Sequence, residues 1–407
     1  MNWLFIHQNF PAQYQHVARR FAAAGDTVCF ITQQRQRELD GVRKIVYAPR
    51  RRQTRGHPFV GDLEASVENG LAVAEVCEGL KREGFRPDIV IGHNGWGETL
   101  YVKDVWPTTP LLGYFEFYYH SVGSDLDFDP EFPPNAADAM RIRTRNAVNL
   151  LGLETADWGQ TPTEWQRSGY PHHYQRQISV IHEGIDTTSV HPDQHARLWL
   201  RGGPNLSSQD QVITYCARNL EPYRGFHIFM RALPELLRRL PKARVLIVGA
   251  SGVSYGRQPT QAPSWREQLL AELAGRLDLS RVHFLGPVPY MQYLAVLQIS
   301  SAHVYLTYPF VLSWSFLEAM SVGGVVVASR TTPVEEVLID GENGYMVDFF
   351  DTDALVERVV AAVSNPNRDE KIRAAARQTV VDRYDLKTVC LPAYLALLRR
   401  LIRRATR

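Results

Sequence analysis

Short apolar runs alternate with longer amphipathic stretches along this chain, the pattern of parallel strands joined by crossover helices. Asn2 to Ile6 predicts a strand, His7-Gln8-Asn9-Phe10-Pro11 a loop, and Ala12 to Ala24 an amphipathic helix that stops at Gly25 before a second strand, Val28 to Ile31. The cadence continues through strands at Lys44 to Tyr47, from Pro87 to Ile91, at Leu111 to Phe115 and at Ile178 to Ile181, with helices at Leu63 to Arg82 and Arg141 to Leu153 between them. A second set of strands begins at Val212 to Cys216 and recurs at Arg244 to Val248, Val282 to Leu285, His303 to Leu306 and Val325 to Val327. The fold class predicted is α/β, as two doubly wound Rossmann-like domains facing each other across a cleft.

A chain of 407 residues exceeds the size at which one core stops growing, which also argues for two domains. The pattern places the first at 1-192 and the second at 211-386. Residues 193-210, with Gly202-Gly203-Pro204 and Ser207-Ser208, have the composition of a linker. The last helix, within 387-407, is expected to cross back onto the first domain.

Charged residues at 22% and apolar residues at 45% describe an ordinary soluble protein, and a net charge of +2 gives no reason to expect a nucleic-acid partner. The four cysteines show no CxxC pair and read as core thiols in a reducing compartment. The N-terminal run is broken by His7-Gln8-Asn9 before an export signal forms, so the cytoplasm is the expected location. Two basic clusters, Arg50-Arg51-Arg52 with Arg55 and Arg399-Arg400 with Arg403-Arg404, read either as solvated charge or as peripheral contacts with an anionic membrane at its inner face.

The candidate chemistry sits in loops at strand ends. From Ala302 to Ala328 the chain reads as strand, loop, helix and strand, a βαβ unit whose helix N-terminus suits an anionic ligand. Ser313 or Ser315 can cap that helix, and Trp314, Phe316 and Leu317 complete its first turn. Glu318, one turn in, is either a half-exposed residue of an amphipathic helix or a buried carboxylate that ribose hydroxyls would satisfy. Arg218 and Arg224 flank Pro222 on one strand-to-helix loop and could clamp a diphosphate from two sides. Gly249 permits close approach of a base or ribose. In the first half, His93-Asn94-Gly95-Trp96-Gly97-Glu98 ends a strand with an aromatic face and polar groups suited to a polyol, and Asn9 lies in the loop after the first strand. Asp125, Asp127 and Asp129 superficially match a DxD metal motif, but no strand-linked nucleotide site leads into them, and a polar loop is the preferred reading.

Leu317-Glu318-Ala319-Met320-Ser321-Val322-Gly323 resembles the LEAM-x-x-G signature of the family 4 glycosyltransferases. The resemblance implies the GT-B fold, with transfer of a sugar from a nucleotide diphosphate sugar to a glycan, lipid-linked or small-molecule hydroxyl acceptor. It also implies retention of anomeric configuration without a metal cofactor, and gives Glu318 the donor ribose. Ala217-Arg218-Asn219 through Arg224-Gly225 is similar to the family's G-R-L-x-x-x-K-G, whose two cations meet the donor phosphates, and backbone groups at Val288 would read the base. His182-Glu183-Gly184-Ile185-Asp186 resembles the family's NG-[VI]-D turn. Two positions depart from the pattern: Phe310 replaces a glutamate that contacts the transferred sugar, and Glu116 stands where the family has a histidine, with His120 the alternative. A sugar-nucleotide 2-epimerase of the same fold and a catalytically weak nucleotide-sugar-binding protein are the other readings.

Overall fold

The structure, a computed structural model, describes residues 1–50, 56–200, 202–365 and 369–405. Arg51, Arg52 and Arg55 of the first basic cluster lie outside the described residues; Arg50 is exposed. The chain divides into two compact units, Met1–Glu183 with Lys387–Arg407, and Gly184–Leu386.

The first unit holds a seven-stranded parallel sheet of β1 (Asn2–Ile6), β2 (Thr27–Thr32), β3 (Val42–Val46), β4 (Ile89–His93), β5 (Leu111–Tyr114), β6 (Trp158–Thr161) and β7 (Ile178–Val180). Their order is β3-β2-β1-β4-β5-β6-β7. Helices cover both faces, so the central strands are apolar almost throughout. Trp3, Phe5, Phe30 and Ile91 turn to one face, where Phe21 of the helix Gln15–Ala23 joins them. Leu4, Ile6, Ile31 and Val90 turn to the other, against Val73 and Cys77 of the helix Gly61–Arg82. The helix Leu391–Ala405 fills the rest of the first face with Tyr394, Leu397, Leu398 and Leu401.

Residues 193-210 are not a free linker. They carry an antiparallel hairpin, β8 (Arg197–Trp199) and β9 (Asn205–Ser207), and Leu198, Leu200 and Leu206 are buried in the core of the second unit. The Gly202-Gly203-Pro204 run is the turn between two short strands, and a turn and a linker share a composition. The division of the chain falls at Gly184, ahead of residue 192.

The second unit has a six-stranded parallel sheet of β10 (Val212–Asn219), β11 (Arg244–Ala250), β12 (Val282–Gly286), β13 (Ala302–Tyr305), β14 (Val326–Ser329) and β15 (Tyr345–Val347), ordered β12-β11-β10-β13-β14-β15. In each sheet the order reverses once next to the first strand, between β1 and β4 and between β10 and β13. Loops leaving those carboxyl ends diverge and open a crevice, which is where such sheets bind ligands.

Leu398 is 1% exposed in the first unit's core. Leu398→Ala is expected to cost about 2–5 kcal/mol, read by chemical denaturation as an earlier transition of the first unit; an unchanged midpoint would contradict its place in that core.

Candidate functional site

At the β10/β13 edge the loop Glu221-Pro222-Tyr223-Arg224-Gly225 leads into the helix Phe226–Arg239. Gly225 has φ +66°, and a Cβ there would lie 2.2 Å from the Leu306 Cβ, so no side chain fits between the loop and the end of β13. That close approach sets Arg224 against the loop after β13. Its Nη1 donates to Thr307 Oγ1 at 2.9 Å, to the Val311 carbonyl at 2.9 Å and to the Tyr305 hydroxyl at 3.4 Å. Its own carbonyl accepts from the Tyr215 hydroxyl at 2.7 Å. The guanidinium carbon stands 5.6 and 5.8 Å from the ring centroids of Tyr255 and Phe310. Nη2 makes no hydrogen bond to any described residue. Arg218, at the end of β10, is exposed and has no hydrogen bond or ion pair among the described residues.

Arg224 is tied to the neighbouring helix through Tyr305, whose hydroxyl accepts the Ser313 backbone N–H at 3.0 Å. Ser313 precedes the helix Trp314–Ser321 in the cap position, but neither serine caps it: the Ser313 hydroxyl bonds the Tyr305 hydroxyl at 3.3 Å and Ser315 Oγ at 2.7 Å. Trp314 is exposed, whereas Phe316 and Leu317 are buried in the core and can offer a ligand only their backbone. Phe310 is buried too, its ring packed against Tyr223 and Tyr255.

Glu318 is 8% exposed and accepts one hydrogen bond at each oxygen: Tyr290 donates its hydroxyl to Oε1 at 2.8 Å and Tyr293 to Oε2 at 2.6 Å. Burial pushes its carboxyl above the ordinary value, and the two hydroxyls oppose that shift. At Gly249 a Cβ would meet the Ala217 carbonyl and Leu220 Cδ2, each at 2.7 Å, so the packing of β11 against β10 requires glycine there. Val288 is half-buried against the unit's core. The sequence did not reveal Glu221, which is 1% exposed and accepts backbone N–H groups from Ser254, Tyr255 and Gly256 at 3.0, 3.2 and 2.9 Å, fixing the loop after β11. Its partners lie more than thirty residues on, and no local spacing signals them.

At the β1/β4 edge of the first unit, His93 stacks on Trp96 with centroids 4.3 Å apart, and lies 4.8 Å from His7 and 5.2 Å from Tyr114. His93 Nδ1 accepts the Gly95 N–H at 3.0 Å, and its buried Nε2 has no hydrogen-bond partner but faces Glu116 Oε2 at 3.5 Å. Glu116 is partly exposed, so its carboxylate reaches solvent while its carbonyl is held by Gln166. Tyr114 donates to Glu183. Glu98 is fully buried and accepts the Tyr47 hydroxyl at 3.0 Å, which ties this loop to the end of β3. Burial raises its carboxyl pKa. Asn9 is exposed, with its N–H on His7 Nδ1 at 2.8 Å. His120 is anchored elsewhere, on the Gly169 carbonyl at 2.8 Å, and is not brought to the His93–Glu116 pair. Asp127 accepts the N–H groups of Gly123 and Ser124 and so closes its own loop.

A carboxyl whose folded pKa lies above its unfolded value contributes its full stability below pH 4.5 and loses it as pH rises through the folded value. Glu318→Gln removes the charge and keeps a group both tyrosines can reach. Thermal melts are expected to show the variant gaining on the parent as pH rises from 4.5 towards neutrality; parallel curves would rule the burial effect out.

Two family patterns match the chain in succession. Residues 24–190 match the glycosyl transferase family 4 group, and residues 203–379 match the glycosyl transferases group 1. A GDP-mannose-dependent alpha-(1-6)-phosphatidylinositol monomannoside mannosyltransferase of Mycolicibacterium smegmatis is 26% identical over 251 residues, 60% of this chain and 62% of that protein. A D-inositol 3-phosphate glycosyltransferase of Corynebacterium efficiens is 25% identical over 306 residues, 72% of this chain and 68% of that protein. The aligned stretch thus spans less than two thirds of the first relative. Among solved structures, sucrose-phosphate synthase from Thermosynechococcus elongatus superposes with a TM-score of 0.72 at 18% identity, covering 99% of this chain and 100% of that one. Anabaena HepE in complex with UDP gives 0.66 at 15% identity, covering 98% and 99%. These structures share the two-sheet architecture, and with the two sequence patterns covering most of its length the chain belongs to the family 4 glycosyltransferases of the GT-B fold.

Proposed function

We propose that this protein transfers a sugar from a nucleoside diphosphate sugar to a hydroxyl acceptor with retention of anomeric configuration. The observation that carries the reading is the hydrogen-bonded path Arg224–Tyr305–Ser313, which fastens a buried guanidinium to the N-terminus of the helix Trp314–Ser321 at a sheet switch point. Two sources of positive potential are then directed at one edge, and charge builds on the diphosphate as the sugar departs. Arg218, exposed at the end of β10, adds a second cation. In this reading Glu318 holds the ribose and the arginines with the helix end compensate the leaving group, so no metal is assigned.

The bond from the anomeric carbon to the phosphate oxygen breaks, the acceptor oxygen bonds the same face of that carbon, and the acceptor proton leaves on the departing diphosphate. In the first unit, Glu116 takes the place of the family's histidine as a carboxylate near cationic character on the sugar. With Nδ1 occupied by the Gly95 N–H, a neutral His93 carries its proton on Nε2, directed at Glu116. The names of the two relatives support a polyol or lipid-linked acceptor and a GDP-sugar donor.

The four cysteines are buried and none pairs with another among the described residues, which supports the cytoplasm. No helix among the described residues is long and apolar enough to cross a membrane. The arginine face of Leu391–Ala405, with Arg399, Arg400, Arg403 and Arg404, supports peripheral contact with anionic lipid at about 1 kcal/mol per basic residue. A non-catalytic sugar-nucleotide binder is the second reading, favoured by the buried apolar ring of Phe310 at the position of a sugar-contacting glutamate.

Incubating the protein with UDP-glucose or GDP-mannose and myo-inositol or phosphatidylinositol, with NMR of the anomeric centre, tests both readings. A retained glycoside supports transfer; an inverted product overturns retention, and nucleotide binding without product over the donor panel selects the second reading. Because Arg218 is exposed and its side chain makes no hydrogen bond or ion pair among the described residues, Arg218→Ala is expected to leave the melting temperature unchanged and to lower turnover roughly a hundredfold; unaltered turnover removes it from the phosphate site.

A further inference from the structure

Glu318, the carboxylate assigned above to the ribose, already has both oxygens occupied. Tyr290 and Tyr293 stand three residues apart on the helix Tyr290–Gln298, so their side chains project from one face and grip one carboxylate from two sides. A carboxylate this deeply buried needs donors, and in the absence of a nucleotide the two phenols supply them. Each oxygen accepts one phenol, so a ribose hydroxyl that comes in along the same lone-pair direction has to displace it.

The two phenols differ in freedom. Tyr293 packs against the core of the second unit and cannot swing away without leaving a void. Tyr290 is the first residue of its helix and 51% exposed, so one χ1 rotation carries its ring into water. We propose that Tyr290 is a gate on the nucleotide site: its hydroxyl holds Glu318 Oε1 until a ribose hydroxyl takes its place, while Tyr293 keeps Oε2 fixed throughout. The exchange replaces one hydroxyl donor by another, so the carboxylate is never stripped of partners. It also makes the site selective, because a ligand without the displacing hydroxyl leaves Tyr290 in place. The inference rests on the assignment of Glu318 to the ribose.

Calorimetric titration of the whole protein with GDP and UDP, and with their 2′-deoxy and 3′-deoxy counterparts, tests both layers. Tyr290→Phe removes the competing hydroxyl and keeps the ring, and is expected to bind the ribonucleotide about fivefold more tightly, the equivalent of one net hydrogen bond. That gain is expected to vanish with the deoxy analogue that lacks the displacing hydroxyl. Tyr293→Phe frees Oε2 to turn and is expected to bind both forms more weakly. Tyr290→Phe binding the ribonucleotide as the parent does, or more weakly, overturns the gate. The two failures are separable: Glu318→Ala with undiminished ribonucleotide affinity removes the ribose assignment itself, whereas weakened Glu318→Ala with no gain in Tyr290→Phe removes the gate alone.

Discussion

Taking the Arg224 guanidinium out of water costs several kcal/mol, and the second unit meets that cost with an ordered set of acceptors from the loop after β13: the Thr307 hydroxyl, the Val311 carbonyl and the Tyr305 phenol. Loop and cation define each other. Without the arginine, the Val311 carbonyl and the Thr307 hydroxyl lose their donor; without Gly225, the turn that carries the arginine collides with Leu306. Tyr305 passes the constraint on to Ser313, so the start of the helix bearing Glu318 is held by the same contacts that hold the charge. A cation fixed in this way does not have to be reorganised when an anion arrives, which is the condition under which electrostatic stabilisation is largest.

The two sheets place different chemistry at equivalent points of their topology. At the β10/β13 edge the polar groups are cations and a helix N-terminus, matched to phosphate. At the β1/β4 edge they are imidazoles, carboxylates and aromatic faces: His7, His93, Trp96, Tyr114 and Glu116. Glu98 Oε2, His93 Nε2 and the Tyr14 hydroxyl are buried in this unit without hydrogen bonds.

The strands were legible because a parallel sheet covered on both faces demands uninterrupted apolar runs, and Leu4-Phe5-Ile6 or Val245 to Val248 can hardly be read otherwise. The loops carrying Arg218, Arg224 and Glu318 were legible because each follows such a run directly. What the sequence hid depends on partners distant along the chain. Glu221 looks like any loop acid until the backbone of residues 254–256 is folded over it, and Tyr293 resembles one more aromatic on a helix until Glu318 comes within 2.6 Å. The packing role of Gly249 was hidden for the related reason that its neighbour is another strand's carbonyl. The hairpin at 197–207 was missed because its buried leucines are spread through a stretch whose glycines, proline and serines dominate its composition.

The first unit is discontinuous, with the stripe of Tyr394, Leu397, Leu398 and Leu401 covering a face built around Trp3, Phe5 and Phe21. During translation those aromatics emerge before Gly184–Leu386, and the helix that packs on them follows only after it. Domains generally acquire structure as they leave the ribosome, the amino-terminal one first. Here the first unit's core includes residues that follow the second unit in the chain, so it cannot be completed ahead of it.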